Sequence, residues 1–212
     1  MSGDVQSGSN RPGKLEFWFE FASTYSYPAA ERVGAAAAAA GVSVRWRPFL
    51  LGPIFAAQGW NDSPFNLYPA KGAYMWRDME RLCEQAGLPL RRPSRFPRNG
   101  LLAARLALAA EGEDWQSDFV RAVYRANFAE DREIAEPEVL GSVLEALGQP
   151  AAAWLERAAA DSNKAALRGQ TEEAQQLGIF GAPSFTAAGE LFWGGDRLDA
   201  ALSWGRGTPQ RG

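Results

Sequence analysis

The stretch that most limits the fold lies near the N-terminus, where two strand patterns flank one helix pattern within about 36 residues. In Lys14-Leu-Glu-Phe-Trp-Phe-Glu-Phe21, the residues Leu15, Phe17, Phe19 and Phe21 alternate with mostly other types, the period of a β-strand. Trp18 falls on the opposite side, so both faces of this strand are expected to be covered, as in the middle of a sheet. After a short polar step, the alanine-rich run from Tyr27 to Ala40 reads as a helix, with Pro28 tolerated in its first turn and Gly41 at its end. Val42, Val44 and Trp46 then alternate with Ser43, Arg45 and Arg47 in a second strand reaching about Phe49. Strands joined in this way are expected to lie parallel, with a right-handed crossover.

From Leu51 to Leu177 no strand pattern recurs. Pro53 to Pro69 reads as a long connection rich in Gly, Pro and Asn. Met75, Met79, Leu82, Cys83 and Ala86 then fall at helical spacing, and Asn99 can cap a helix carrying Leu102, Leu106 and Ala109. Further helices are marked by Trp115, Phe119 and Val123, by Leu140, Val143, Leu144 and Leu147, and by Trp154, Leu155 and Ala158. A polar helix from about Ser162 to Leu177 closes at Gly178. Strands return in Pro183-Ser-Phe-Thr-Ala187 and Glu190-Leu-Phe-Trp193, flanking the turn Ala188-Gly189, and Leu198 to Trp204 makes a last short helix. The order is α/β: βαβ, a helical insertion over 51–177, then ββα, with 14–50 and 178–205 forming one sheet domain. Residues 1–13 and 206–212 are expected to be flexible tails.

Composition removes whole classes of chemistry. The chain has no histidine, which excludes Ser-His-Asp and Cys-His devices and imidazole-dependent zinc sites, so no metal is expected. It has one cysteine, Cys83, so neither an internal disulfide nor a CxxC pair can form. A net charge of −3 argues against a nucleic-acid partner, and no apolar run reaches the roughly 18 residues of a membrane span. Met1 to Pro12 lack the apolar core of a signal peptide, so a cytoplasmic setting is expected.

Four places could carry chemistry. Ser23 follows the first strand and opens the first helix, at the sheet edge where α/β proteins bind ligands and where free N–H groups favour an anion such as a thiolate. Equally, Ser23 or Thr24 can be an ordinary helix cap. Pro183, in Gly178-Ile-Phe-Gly-Ala-Pro183, either has a cis bond that turns the backbone before it outward or is a trans residue opening an edge strand. In Trp193-Gly-Gly-Asp-Arg-Leu198, Gly194 and Gly195 permit close backbone approach and Asp196 can pair with an ammonium group, unless it caps the last helix. Lys71, one of three lysines, stands in Lys71-Gly-Ala-Tyr-Met75. Cys83 shares an apolar face with Met75 and Met79 and reads as a core thiol. Trp60, Phe65, Tyr68 and Trp76 form either an aromatic substrate wall or packing.

Together these motifs resemble the 2-hydroxychromene-2-carboxylate isomerase family, relatives of the kappa-class glutathione transferases on a DsbA-like, thioredoxin-like fold. The likeness runs from about Lys14 to Trp204, with secondary matches at Phe96-Pro-Arg-Asn99 and Phe128-x-Glu-x-Arg-x-Ile134. Ser23-Thr-Tyr-Ser26 occupies the turn where redox members carry CxxC, and Thr24 stands where this family typically has proline. The resemblance implies glutathione as cofactor, a small-molecule substrate and a homodimer. It implies that Ser23 donates to the glutathione sulfur, that Ala182 before a cis Pro183 pairs with the cysteinyl main chain, and that Gly195 and Asp196 take the γ-glutamyl end. Lys71 and Asn61 would take an opposite carboxylate or the substrate. A kappa-like transferase or peroxidase and a non-catalytic thioredoxin-fold binding module are the alternatives.

Overall fold

The computed structural model describes residues 13–60 and 62–206. The expectations for the tail residues 1–12 and 207–212, and for Asn61, lie outside the described residues. Strand β1 (Gly13–Phe19) is followed by α1 (Ser26–Ala40) and β2 (Val42–Pro48). The β1 strand starts one residue earlier than its alternation indicates and ends before Glu20 and Phe21, which leave the sheet to form the turn. Helix α1 ends at Gly41, which takes φ 66°, a left-handed conformation that glycine adopts without a Cβ penalty. Strands β3 (Ser184–Ala187) and β4 (Glu190–Trp193) form the expected hairpin, and α10 (Leu198–Gly205) closes the chain.

The sheet order is β2-β1-β3-β4. Strand β1 pairs parallel with β2, Phe17 opposite Trp46, and antiparallel with β3, Phe17 opposite Phe185. Phe17 therefore sits at the centre of the sheet, with its ring 5.1 Å from Trp46 and 5.4 Å from Phe185. Leu15, Phe17, Phe19 and Phe21 join the larger core with Ala30, Val33 and Leu198 of the covering helices. Trp18 lies on the other face in a second cluster with Phe49, Ile54, Ala174 and Ile179. Coverage of both faces is what the aromatic run around Trp18 implies for a central strand.

Between β2 and β3 the described residues form α2 (Leu51–Ala57), α3 (Pro64–Leu67), α4 (Pro69–Ala86), α5 (Leu101–Ala109), α6 (Gln116–Phe128), α7 (Pro137–Ala146), α8 (Ala151–Ala159) and α9 (Asp161–Gln176). Two of these replace the expected connection from Pro53 to Pro69. Proline does not exclude either helix, because Pro53 and Pro64 lie in first turns, where an N–H has no partner within the helix. Ser63 starts α3 by accepting the Phe65 N–H at 3.3 Å. Asn99 accepts the Leu101 N–H at 2.9 Å ahead of α5. Met75, Met79 and Cys83 are buried along α4, and burial pushes the Cys83 thiol up to about 11.

Helix α4 is pressed against α3 at Gly72, where an added Cβ would lie 2.3 Å from the Phe65 carbonyl oxygen. Gly72→Ala is expected to cost about 1–3 kcal/mol through this overpacking. Urea unfolding checks it, and a loss under about 0.5 kcal/mol would mean that the α3–α4 corner yields without cost.

Candidate active site

The C-terminal edge of β1 and the segment before β3 meet because the two strands are hydrogen-bonded neighbours, with Trp18 opposite Ser184. Their junction is the floor of a cleft of about 2000 Å³. That volume exceeds the roughly 300–1,000 Å³ of a usual small-molecule site, leaving room for a peptide-sized ligand together with a second molecule.

Ser23 lies on this floor. Its N–H donates to the Glu20 carbonyl at 3.0 Å, closing the turn after β1. Its Oγ donates to the Ala182 carbonyl at 2.9 Å and accepts the Ser26 N–H at 3.3 Å. Ser23 thus receives the first N–H of α1 from outside the helix, two residues before the N-cap position at Tyr25, and lines the cleft. Thr24 is buried, and its hydroxyl has no partner among the described residues.

The Ala182–Pro183 bond is cis. The Pro183 carbonyl accepts the Gly194 N–H at 3.0 Å, which ties the end of the β3–β4 hairpin to the same floor. Gly194 has φ 102°, and a Cβ there would lie 2.5 Å from Asp196 Oδ1. Only glycine lets the Asp196 carboxylate fold back over the main chain here. Asp196 makes no capping bond to α10, so that alternative is not the one adopted. Its side chain is 73% exposed and its carboxylate lies 3.6 Å from Arg197 Nε.

The opposite wall comes from α2 to α4. Lys71, in the first turn of α4, lines the cleft with its Nζ 4.8 Å from the centre of the Tyr68 ring. Trp60 and Phe65 line the cleft as well. Trp76 does not: it is buried, with its ring 5.0 Å from Phe96, and is packing. Tyr68 supports Lys71 rather than forming part of the wall. The structure thus brings Ser23, Lys71, Ala182, Pro183, Gly195 and Asp196 around one cleft.

The family model described as DSBA-like thioredoxin domain matches residues 14–203. A 2-hydroxychromene-2-carboxylate isomerase from Sphingobium xenophagum is 30% identical over 192 residues, covering 90% of this chain and 96% of its own. The chain belongs to the 2-hydroxychromene-2-carboxylate isomerase family of DsbA-like thioredoxin domains. A solved structure of a 2-hydroxychromene-2-carboxylate isomerase shares the fold at a TM-score of 0.80 and 26% identity, covering 90% of this chain and 93% of that one. Glutathione S-transferase kappa 1 from Homo sapiens is 25% identical over 202 residues, 89% of this chain and 88% of its own.

Within this isomerase-family cleft, three features escaped the sequence reading. Pro97, after Phe96, forms a second cis bond, and Arg98, Asn99 and Gly100 beside it line the cleft. Tyr25 donates to Asp78 Oδ2 at 3.0 Å, and burial first, then Asp78, holds its hydroxyl above the usual range. Glu20, between two phenylalanines at the end of an aromatic run, is buried and lines the cleft. A carboxylate in that apolar setting was the available signal, but strand alternation treats it as one more outward polar residue. Among the described residues no group of three or more Cys, Asp or Glu could hold a metal ion, and no helix is long and apolar enough to cross a membrane.

Proposed function

We propose that this protein is a glutathione-dependent cis–trans isomerase of an aromatic or conjugated 2-oxo acid. The observation that carries the reading is Ser23, whose hydroxyl sits at the N-terminus of α1, on the floor of the cleft, with its proton directed at Ala182.

The residues fit glutathione. The Ala182 carbonyl offers an acceptor that a cysteinyl main chain needs, and the exposed Asp196 carboxylate suits an ammonium group. Lys71 across the cleft suits a carboxylate. When bound, glutathione would supply a thiolate that adds reversibly to the conjugated acid, so that the former double bond can rotate before elimination restores it. Ser23 changes partner in this scheme. Its hydroxyl, which donates to the Ala182 carbonyl here, would donate to the sulfur instead, and the carbonyl would then be free to accept an N–H from the ligand. A single charge-assisted donor of this kind, together with the partial positive charge at the helix N-terminus, favours the thiolate over the thiol. No step calls for an imidazole.

Asp196→Ala is expected to raise the glutathione Kd about tenfold, which is about 1.4 kcal/mol, without changing thiolate formation. Calorimetric titration with an ultraviolet thiolate scan checks both at once. An unchanged Kd would remove Asp196 from the binding scheme. The kappa relative supports a second reading, in which the same thiolate is consumed in a transferase or peroxidase reaction. Recovery of free glutathione after turnover of 2-hydroxychromene-2-carboxylate favours isomerisation, whereas accumulation of a thioether or disulfide favours the second reading. A homodimer belongs to the proposal and is tested by sedimentation.

A further inference from the structure

The scheme above leaves Glu20 without a task, although it holds both ends of the turn that presents Ser23. Its main-chain carbonyl accepts the Ser23 N–H at 3.0 Å and the Tyr124 hydroxyl at 2.9 Å. Its Oε2 accepts the Ala22 N–H at 3.0 Å. Its Oε1 lies against Gly100, where an added Cβ would approach to 3.1 Å. Glu20 is only 8% exposed, yet it lines the same cleft as Ser23 and Ala182. A buried carboxylate without a cation is costly, which favours the neutral acid. Burial pushes the Glu20 carboxyl up to about 8, against the lowering effect of the Ala22 N–H.

The elements around the turn carry few groups that could offset a charge there. From α6 comes Tyr124, itself held above the usual range by burial and then by Glu20. From α1 come Tyr27, whose hydroxyl donates to the Pro89 carbonyl at 3.0 Å, Glu31, which pairs with Arg125 at 2.7 Å, and Arg32, which pairs with Asp199 at 2.6 Å. From the 96–100 segment comes Arg98, whose guanidinium is engaged by Asp131 and Asn127. Across the cleft stand Lys71 and Asp78 of α4, with Asp196 and Arg197 beyond β4. Among the described residues none of these forms an ion pair with Glu20.

We propose that Glu20 is a positioning and gating residue for the thiol site: as an uncharged acid it braces the Ser23 turn, and as a carboxylate it opposes a negative sulfur held at Ser23. The proposal rests on the thiolate reading and adds to it a pH limit set by the chain itself. Two negative charges in one cleft disfavour each other, so each raises the pKa of the other. Ionisation of Glu20 therefore places a second negative charge in the cleft that Ser23 lines and disfavours a thiolate held there.

Two measurements test this. In the ligand-free protein, the infrared difference between wild type and Glu20→Gln should show a protonated-acid carbonyl band at about pH 6 that disappears as the pH rises through about 8. Calorimetric affinity for glutathione should then fall in wild type by about tenfold more than in Glu20→Gln between about pH 6 and about pH 9.5. Should Glu20→Gln fail to fold, Glu20→Asp replaces it: it keeps the acid, so its band shifts frequency and its affinity loss starts at a lower pH. Absence of the acid band, or parallel affinity profiles in wild type and variant, overturns the role of Glu20 while leaving glutathione binding in place. Failure of wild type to bind glutathione at every pH instead overturns the thiolate reading, and this proposal with it.

Discussion

Ser23→Ala is expected to lower kcat/KM by about 100-fold or more while shifting the glutathione Kd by less than about threefold. The wide gap between the two numbers follows from the geometry. The ligand's termini would be held by Asp196 and Lys71, which the substitution does not touch, and the Ala182 carbonyl that loses the Ser23 proton stays free to accept an N–H from the ligand. The sulfur would lose its one side-chain donor, and each unit by which its pKa rises is about 1.4 kcal/mol of lost thiolate preference. The alanine also releases the Ser26 N–H at the start of α1, so a stability loss of about 1 kcal/mol should accompany the kinetic effect. Steady-state kinetics, calorimetry and the thiolate scan separate the three effects. A variant with unchanged kcat/KM and an unchanged thiolate band, but reduced stability, would reduce Ser23 to a helix cap.

Arg98→Ala is expected to destabilise the fold by about 1–3 kcal/mol, because it leaves the carbonyl and side-chain oxygens of the buried Asn127 without their donor. The Arg98 side chain is 2% exposed. Its Nη1 donates to Asn127 Oδ1 at 3.1 Å and its Nη2 to Ser94 Oγ at 3.2 Å and to the Asp131 carboxylate, while Nε stands 3.5 Å from Glu133. This network fixes the segment from Phe96 to Gly100, which forms one side of the cleft and touches both Phe21 and Glu20. Arg98→Lys should recover little, since an ammonium group cannot reproduce the planar fork. Backbone donation from Ser94, reinforced by Arg98, draws the Asp131 carboxyl down from 3.8 to about 2. A depressed carboxyl pKa stabilises the folded state above its unfolded value. That contribution is therefore present above about pH 4 and is lost as the pH falls toward about 2. Denaturant unfolding of wild type and Asp131→Asn should accordingly converge over that range. An Arg98→Ala loss below about 1 kcal/mol would show that solvent screens the network after all.

Most of the architecture was legible because its elements are local and periodic. The alternation through Phe17 and Phe19, the alanine run ended by Gly41, and the Ala188-Gly189 turn each follow from a few neighbouring residues. The failures were equally physical. The segment from Pro53 to Pro69 looked too rich in breakers for helices, yet proline in a first turn forfeits no hydrogen bond, and two short helices form there. Trp76 looked like a candidate for the substrate wall but is covered by Phe96, twenty residues away in sequence, a contact no spacing reveals.

The sequence by itself determined the fold family and the chemistry that is excluded. Periodicity sets which faces are apolar, and the lack of histidine and of a second cysteine removes imidazole and dithiol mechanisms whatever the fold. Only the tertiary structure decided the site. Pairing of β1 with β3 carries Ala182 to within a hydrogen bond of Ser23, 159 residues away. Packing of the 96–100 segment against the same turn encloses Glu20 and changes an ordinary surface carboxylate into a buried acid. Proximity and desolvation are properties of the folded chain, and neither can be read from residue types in order.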